Sequence, residues 1–250
     1  MKKVNFYGVG LNLIDTEEAL NLCSQYFNED KINTIFFLNA HYYNLSCKED
    51  KYRKALNEST LLLNDGIGVS IGLKIKGIKE RENMNGTDFI PRVLELAEKN
   101  HKKVFCLGAK EEVIREVPKK LKEQYKNIDI VGIRNGYFTE EDEVVEEINN
   151  SGAEILIIGM GAPLQEIWVS KNKHKFKNIK IIIAGGAIFD FISEKVSRAP
   201  DTIRKLRLEW MYRLYLEPKR LFSRYVIGNL VFFYNIFSNR KSSILGGIDE

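Results

Sequence analysis

AEILIIGMGAPLQEIW, Ala153 to Trp168, decides the fold of this chain. Its first half is an almost unbroken apolar run, the pattern of a strand buried on both faces. Gly159 to Gly161 then turns the chain, and Pro163 stands near the first turn of the helix that follows. IKIIIAGGAIFDF (Ile179 to Phe191) repeats the plan around a glycine pair. KKVFCLGA (Lys102 to Ala109) does so ahead of a helix expected from about Lys110 to Tyr125. NIDIVGIRNGYF adds a strand ending near Ile133 and a turn at Asn135–Gly136, and the next helix, Glu140 to Asn150, begins acidic as the macrodipole prefers. Apolar strands alternating with helices specify an α/β protein with a mostly parallel sheet covered on both faces.

Upstream, Val4 to Leu13 reads as a strand or hairpin, and Asp15 or Thr16 caps a helix carrying Ala19, Leu20, Leu22 and Phe27. NTIFFLN (Asn33 to Asn39) is a buried strand ending in a polar residue, and the segment through Leu56 reads as helix with Tyr42, Leu45, Tyr52 and Leu56 as core positions. LLLNDGIGVS (Leu61 to Ser70) then sets Asp65 on a glycine turn directly after a short apolar strand. A carboxylate at a strand's carboxyl end stands where α/β sheets bind ligands. It is also a favoured helix cap, and by spacing alone capping is the commoner outcome. After a polar loop, KERENMN, Thr87 or Asp88 is expected to cap a helix burying Phe89, Val93, Leu94 and Ala97.

The 250 residues suit one large domain, or one of about 200 residues with an appendage. Net charge is +4, unevenly spread: from Val196 onward ten Lys and Arg stand against five Asp and Glu, so the basic character belongs to the tail. We therefore expect a catalytic domain over 1–195 and a basic, aromatic-rich helical appendage over 196–250. In the tail, Arg213, Arg220 and Arg224 share a face if the helix tolerates Pro218. Such a helix either packs on the sheet with its arginines snorkelling, or lies on an anionic membrane surface. Cys23, Cys47 and Cys106 have no paired metal spacing and suit a reducing compartment. The amino terminus does not read as a cleaved signal, and no segment reaches the ~18 uncharged apolar residues a spanning helix needs.

Glycine turns at Gly108, Gly136 and Gly159 to Gly161 suggest backbone N–H groups facing an anion, hence a phosphorylated ligand. The dinucleotide fingerprint GxGxxG is absent, as are a P-loop, a metal-ligand cluster and a DxD run, so no cofactor and no metal are expected. His41 and His101 read as surface or capping residues, and His174 as part of a solvated basic face. Gln165 and Glu166 read as surface or capping groups at the start of their helix, and Asn39 either satisfies neighbouring backbone or grips a sugar hydroxyl.

Together these motifs resemble the WecG/TagA/CpsF glycosyltransferases, the N-acetylmannosaminyltransferase-type family of bacterial surface-polymer assembly. The resemblance covers nearly the whole chain. It runs through FLNAHYYNL at Phe37, NDGIGV at Asn64, NGTDF at Asn85, FCLGAK at Phe105 and NGYF at Asn135. It continues in GMGAPLQEIW at Gly159, GGAIFDFISEKVSRAP at Gly185 and LEWMYRLYLEPKRLFSRY at Leu208. It implies a Rossmann-like α/β enzyme with no metal requirement, moving an N-acetylhexosamine from UDP to a polyprenyl-diphosphate-linked sugar at the cytoplasmic face of the cell membrane. The final polymer would be a teichoic acid, capsule or exopolysaccharide, and the match looks closer to the polysaccharide branch. By the same resemblance the general base falls on Asp65 and substrate contacts on Asn39 and Gln165. Arginines that steady the diphosphate fall on Arg213, Arg220 and Arg224, on an appendage that closes over the site and touches the membrane. Homologues in the family self-associate, so a homo-oligomer is a further possible partner. Two positions depart from the family pattern: Phe37 where a threonine is common, and Asn83 where an arginine is common, with Arg81 nearby but out of register.

The chemistry suits these groups. A sugar hydroxyl is a weak nucleophile, so a carboxylate takes its proton as it attacks the anomeric carbon. Helix N-termini and arginines stabilise the departing UDP. We expect a single displacement with inversion, and an Asp65 with an ordinary pKa, already ionised at neutral pH. A rival from another class is a non-catalytic, membrane-associated nucleotide-binding protein in which Asp65 is only a cap. Nucleic-acid binding is not expected, because the tail aromatics recur at helical spacing beside long aliphatics and the excess charge is modest.

Overall fold

Successive side chains of a strand point to opposite faces, so a sheet covered on both sides carries two cores. The computed structural model, which describes residues 3–245, has this arrangement. A hairpin, β1 (Lys3–Phe6) and β2 (Val9–Asn12), precedes α1 (Thr16–Tyr26). Then come β3 (Asn33–Leu38), α2 (Ala40–Ser46), α3 (Asp50–Asn57), β4 (Leu61–Asn64), α4 (Ile67–Ile75) and α5 (Gly86–Lys99). The second half runs β5 (Lys103–Gly108), α6 (Glu111–Ile114), α7 (Val117–Gln124), β6 (Asp129–Arg134), α8 (Glu141–Ser151), β7 (Ile155–Gly159), α9 (Leu164–Asn172), β8 (Ile181–Ala184) and α10 (Ile188–Ile192). The tail forms α11 (Asp201–Lys205), α12 (Glu209–Leu216), α13 (Pro218–Phe222) and, after a π-helical turn at Ser223–Ile227, α14 (Gly228–Leu245).

The main sheet has six strands in the order β4-β3-β8-β7-β5-β6, and every pairing is parallel. All six carboxyl ends therefore lie along one edge, where α/β folds bind ligands. Ile35, Leu63, Ile157 and Ile183 face a core shared with α1, α5, α7 and α10. Phe36, Leu62, Ile158 and Ile182 face the other, shared with the hairpin, α2, α3, α8 and α9. The hairpin covers the β4 edge, where Asn12 Oδ1 accepts from Leu62 N at 2.8 Å. Covering an edge strand in this way removes a surface that would otherwise pair with other chains.

Three expected helices differ in detail. The segment after β3 is two helices, broken at Cys47–Glu49, and the one after β5 is split into α6 and α7, with Pro118 in the first turn of α7. The cap of α5 is Asn85, whose side chain accepts from Asp88 N, not Thr87 or Asp88.

The tail is joined to this body by packing. Phe232 and Ile236 of α14 are fully buried in the second core, and Phe232 meets Tyr43 edge-to-face at 5.5 Å. They sit over two small residues one helical turn apart on α4. A Cβ at Gly68 would lie 3.6 Å from Phe232, and one at Gly72 would lie 3.0 Å from Ile236 and 2.7 Å from Phe6. Replacing Phe232 by alanine is expected to cost about 3–5 kcal/mol through lost burial and the cavity left behind. Urea unfolding of the full chain measures this, and a loss below about 1 kcal/mol would show that the tail does not share the core. Residues 246–250 of the expected appendage lie outside the described residues.

Candidate active site

The strand–turn–helix after β4 sets the first group. Asp65 does not cap α4: Gly66 is the residue before the helix, with φ +93°, and no side chain closes that end. The left-handed backbone at Gly66 turns the chain sharply and frees the aspartate carboxylate. Asn39, at the end of the neighbouring β3, reaches it, with Nδ2 donating to Asp65 Oδ2 at 3.3 Å. Asn39 Oδ1 meanwhile accepts from Tyr42 N at 2.9 Å, capping α2 and fixing the amide's orientation. Of the two roles weighed for Asn39, the structure shows the backbone contact, and it adds a bond to Asp65.

Above this pair lies a cavity of about 450 Å³, a size suited to a small-molecule ligand. Asn39, Asp65 and Ala184 line it from the sheet edge, and Trp210, Arg213 and Arg224 line it from the tail. Arg224 stands over the rings of Tyr42 and Tyr225, and Arg213 over Phe191. Their Nε atoms, and Nε1 of Trp210, are buried with no hydrogen-bond partner among the described residues. Two guanidinium groups beside one cavity give it a cationic wall suited to an anionic ligand.

Burial raises the Asp65 carboxyl to about 6, more than Asn39 and Arg224 lower it, with Glu209 and Asp88 adding to the rise. The expectation of an ordinary pKa is therefore corrected. The group remains mostly ionised at pH 7 and is a stronger base than a solvated aspartate. His41 also lines the cavity, where burial and the nearby Arg224 and Lys48 push it down to about 4, so it is neutral at physiological pH. It had read as a surface or capping residue, and no spacing signal marks it.

The structure distributes the other expected site residues unevenly. Arg213 and Arg224 face the cavity, but Arg220 does not line it and pairs instead with Glu217 at 2.6 Å. The shared helical face fails because the chain leaves helical geometry at Glu217, φ −132° and ψ 60°, just before Pro218. Gln165 is fully buried, its Oε1 accepting from Gly161 N at 3.1 Å and Gly186 N at 3.2 Å. Its Nε2 donates to Glu166, also fully buried, at 2.8 Å. Neither is the surface group their position had suggested, and burial pushes the Glu166 carboxyl up to about 7.

Gly108, Gly136 and Gly161 gather at the carboxyl ends of β5, β6 and β7, beside the cavity strands. Gly108 and Gly136 serve close packing: a Cβ at Gly108 would fall 2.4 Å from the Gly159 carbonyl and one at Gly136 3.1 Å from Gly108, whereas Gly161 has open space and is required by its φ of +84°. Gly136 N donates to Ala109 O at 2.9 Å, and Gly161 N goes to Gln165, so these two amides already have partners. The picture of open N–H groups is corrected there. Arg81 turns away from the cavity to Asp15 and Glu18, while Asn83 lines it and accepts from Gly66 N. No cluster of three or more metal-ligating side chains occurs among the described residues.

A Rossmann-like parallel sheet, with a carboxylate at its ligand edge under an arginine-bearing roof, has the layout of an enzyme that binds an anionic small molecule there. The pattern of the Glycosyl transferase WecG/TagA/CpsF family matches residues 4–244, and the chain belongs to that family. It is a glycosyltransferase. Among its relatives is the N-acetylglucosaminyldiphosphoundecaprenol N-acetyl-beta-D-mannosaminyltransferase of Bacillus subtilis (strain 168), 34% identical over 69% of this chain and 67% of the relative. Proteins of the same name from Bacillus spizizenii and Staphylococcus aureus (strain NCTC 8325 / PS 47) are 30% and 29% identical. They align over 84% and 88% of this chain and 82% and 87% of their own.

Proposed function

We propose that this enzyme transfers N-acetylmannosamine, or a close N-acetylhexosamine, from UDP to a polyprenyl-diphosphate-linked N-acetylglucosamine, with inversion and without a metal. The observation that carries this reading is the Asp65 carboxylate at the floor of a cavity whose roof holds Arg213 and Arg224. The acceptor and the sugar transferred are those for which the relatives are named.

In the reaction the acceptor hydroxyl attacks the anomeric carbon and its proton passes to Asp65. The bond from that carbon to the diphosphate oxygen breaks, and UDP leaves with the electron pair. Asn39 orients the carboxylate. Arg213, Arg224 and Trp210 Nε1 meet the charge that grows on the departing diphosphate, the role a metal ion has in other transferases. Gln165, by accepting from Gly161 N and Gly186 N, braces the turns after β7 and β8 beside the cavity rather than touching substrate itself. Arg220 then acts outside the cavity, at the rim or against a lipid head group.

Among the described residues no helix is long and apolar enough to cross a membrane. Met211, Tyr215, Phe222, Leu230, Tyr234 and Phe237 are exposed on the tail beside Lys219 and Arg220. That combination of apolar and basic groups supports binding at the cytoplasmic face of the cell membrane, where a polyprenyl acceptor lies. The test is a transfer assay of UDP-N-acetylhexosamines against a polyprenyl-diphosphate N-acetylglucosamine. Transfer strongest from UDP-N-acetylmannosamine, with a β-linked product and undiminished by EDTA, is the expected result. No transfer from any of these donors would overturn the reading.

A further inference from the structure

We propose that Glu80 is a positioning residue that couples docking of the C-terminal helices to the setting of Asp65. The proposal rests on the catalytic reading of Asp65 given above. The polar loop between α4 and α5 encloses the Asp65 turn: Met84 N donates to Asn64 O at 2.7 Å, and Asn83 Oδ1 accepts from Gly66 N. Both chain neighbours of the base are thus held by this loop. Glu80 adds a side-chain grip, its Oε2 accepting from Asn64 Nδ2 at 2.7 Å and from Ser70 Oγ.

The same carboxylate reaches the tail. Its Oε1 accepts from Arg207 Nη1 at 2.7 Å, and Arg207 also donates to Ser70 Oγ at 3.2 Å. Arg207 lies two residues before α12, which carries Trp210 and Arg213 into the cavity, and its backbone has φ +60°. A non-glycine residue holds that left-handed geometry only when its surroundings over-determine it, and the bonds to Glu80 and Ser70 supply such a constraint. Glu80 does not line the Asp65 cavity, although Arg207 does. Burial works to raise its pKa, but the bonds from Arg207, Ser70 and Asn64 more than offset this and hold it below the usual carboxylate range. One ionised side chain therefore holds the residue before the base and the residue that leads into the roof.

The root of the tail has a separate anchor. Arg198 pairs with Asp88 at 2.6 Å and with Glu209 at 3.1 Å, and Phe232 and Ile236 stay in the core. Losing the Glu80 contact should loosen α12 locally without unfolding the protein.

The experiment compares the full-length enzyme with Glu80→Gln, Arg207→Gln and the double variant, using UDP-N-acetylmannosamine and a polyprenyl-diphosphate N-acetylglucosamine. In E80Q, kcat is expected to fall about tenfold while KM for the donor changes less than about threefold. Amide exchange over residues 208–216 should rise. The acid limb of the rate profile should move below pH 6, because burial, which a looser roof reduces, is the largest influence on Asp65; Glu209 and Asp88 act in the same direction and Asn39 and Arg224 in the opposite one. Adding E80Q to R207Q should cost little more than R207Q alone. Glu80→Asp, which keeps the charge, should recover part of the rate.

Wild-type kcat in E80Q, or a loss matched by a loss of folded protein with the pH limb unmoved, overturns the proposal. Asp65→Asn, run alongside, separates the two claims. If it retains turnover the base assignment fails, while amide exchange in E80Q still decides whether Glu80 holds the tail.

Discussion

Asp65→Asn is expected to lower sugar transfer by about 10²–10⁴-fold, the usual worth of a general base. Asparagine keeps the shape and still meets Asn39, but it cannot accept the acceptor's proton. UDP affinity should change little, because the contacts proposed for the leaving group come from the roof arginines rather than from this carboxylate. The wild-type rate should rise with pH through an apparent pKa near 6, since the base works only when ionised and burial holds Asp65 at about 6. The same shift sets the sign for stability. The folded protein binds this proton more tightly than the unfolded chain, whose aspartate titrates near 3.8. The contribution of Asp65 to folding is thus fully present below about pH 4 and is lost as pH rises through about 6. The D65N variant should therefore gain in melting temperature relative to wild type between those limits. Turnover within about threefold of wild type would remove Asp65 from the chemistry.

Arg224→Ala is expected to lower kcat by about 10²–10³-fold, the scale for one donor aimed at transition-state charge. Two further readouts separate it from loss of packing. The Arg224 charge lowers the Asp65 pKa, so its removal should move the acid limb of the rate profile above pH 6. It also depresses His41, which should titrate higher in the variant. Arg213→Ala is expected to cost a similar factor, because Arg213 lines the same cavity wall. Arg220→Ala, paired with Glu217 outside the cavity, should lose less activity than either in detergent solution. Loss from R220A equal to that from R224A would show that the tail closes further than this structure places it.

How far the sequence carries depends on the range of the signal. Apolar runs such as Ile155–Gly159 and Ile181–Ala184 are legible because a strand buried on both faces needs apolar side chains at every position. The motif order brought the site residues together on paper, and Asn39 and Asp65 do meet, each standing at the end of a strand. Arg213, Arg220 and Arg224 show where spacing fails: it assumed one continuous helix, and the break at Glu217 takes Arg220 away from its neighbours. Gln165 and Glu166 looked like a solvated first turn, because a hydrophilic pair in sequence says nothing about what covers it.

The sequence by itself determined the parallel α/β sheet, the basic helical tail and a carboxylate at the ligand edge, all consequences of local pattern and strand order. The tertiary structure alone decided that this carboxylate is buried at a cavity and does not cap α4. It also decided that His41 is a neutral wall of the cavity and that Glu80 and Arg207 meet. Those outcomes depend on which distant groups remove water from a side chain and set its charge, and linear spacing does not encode that.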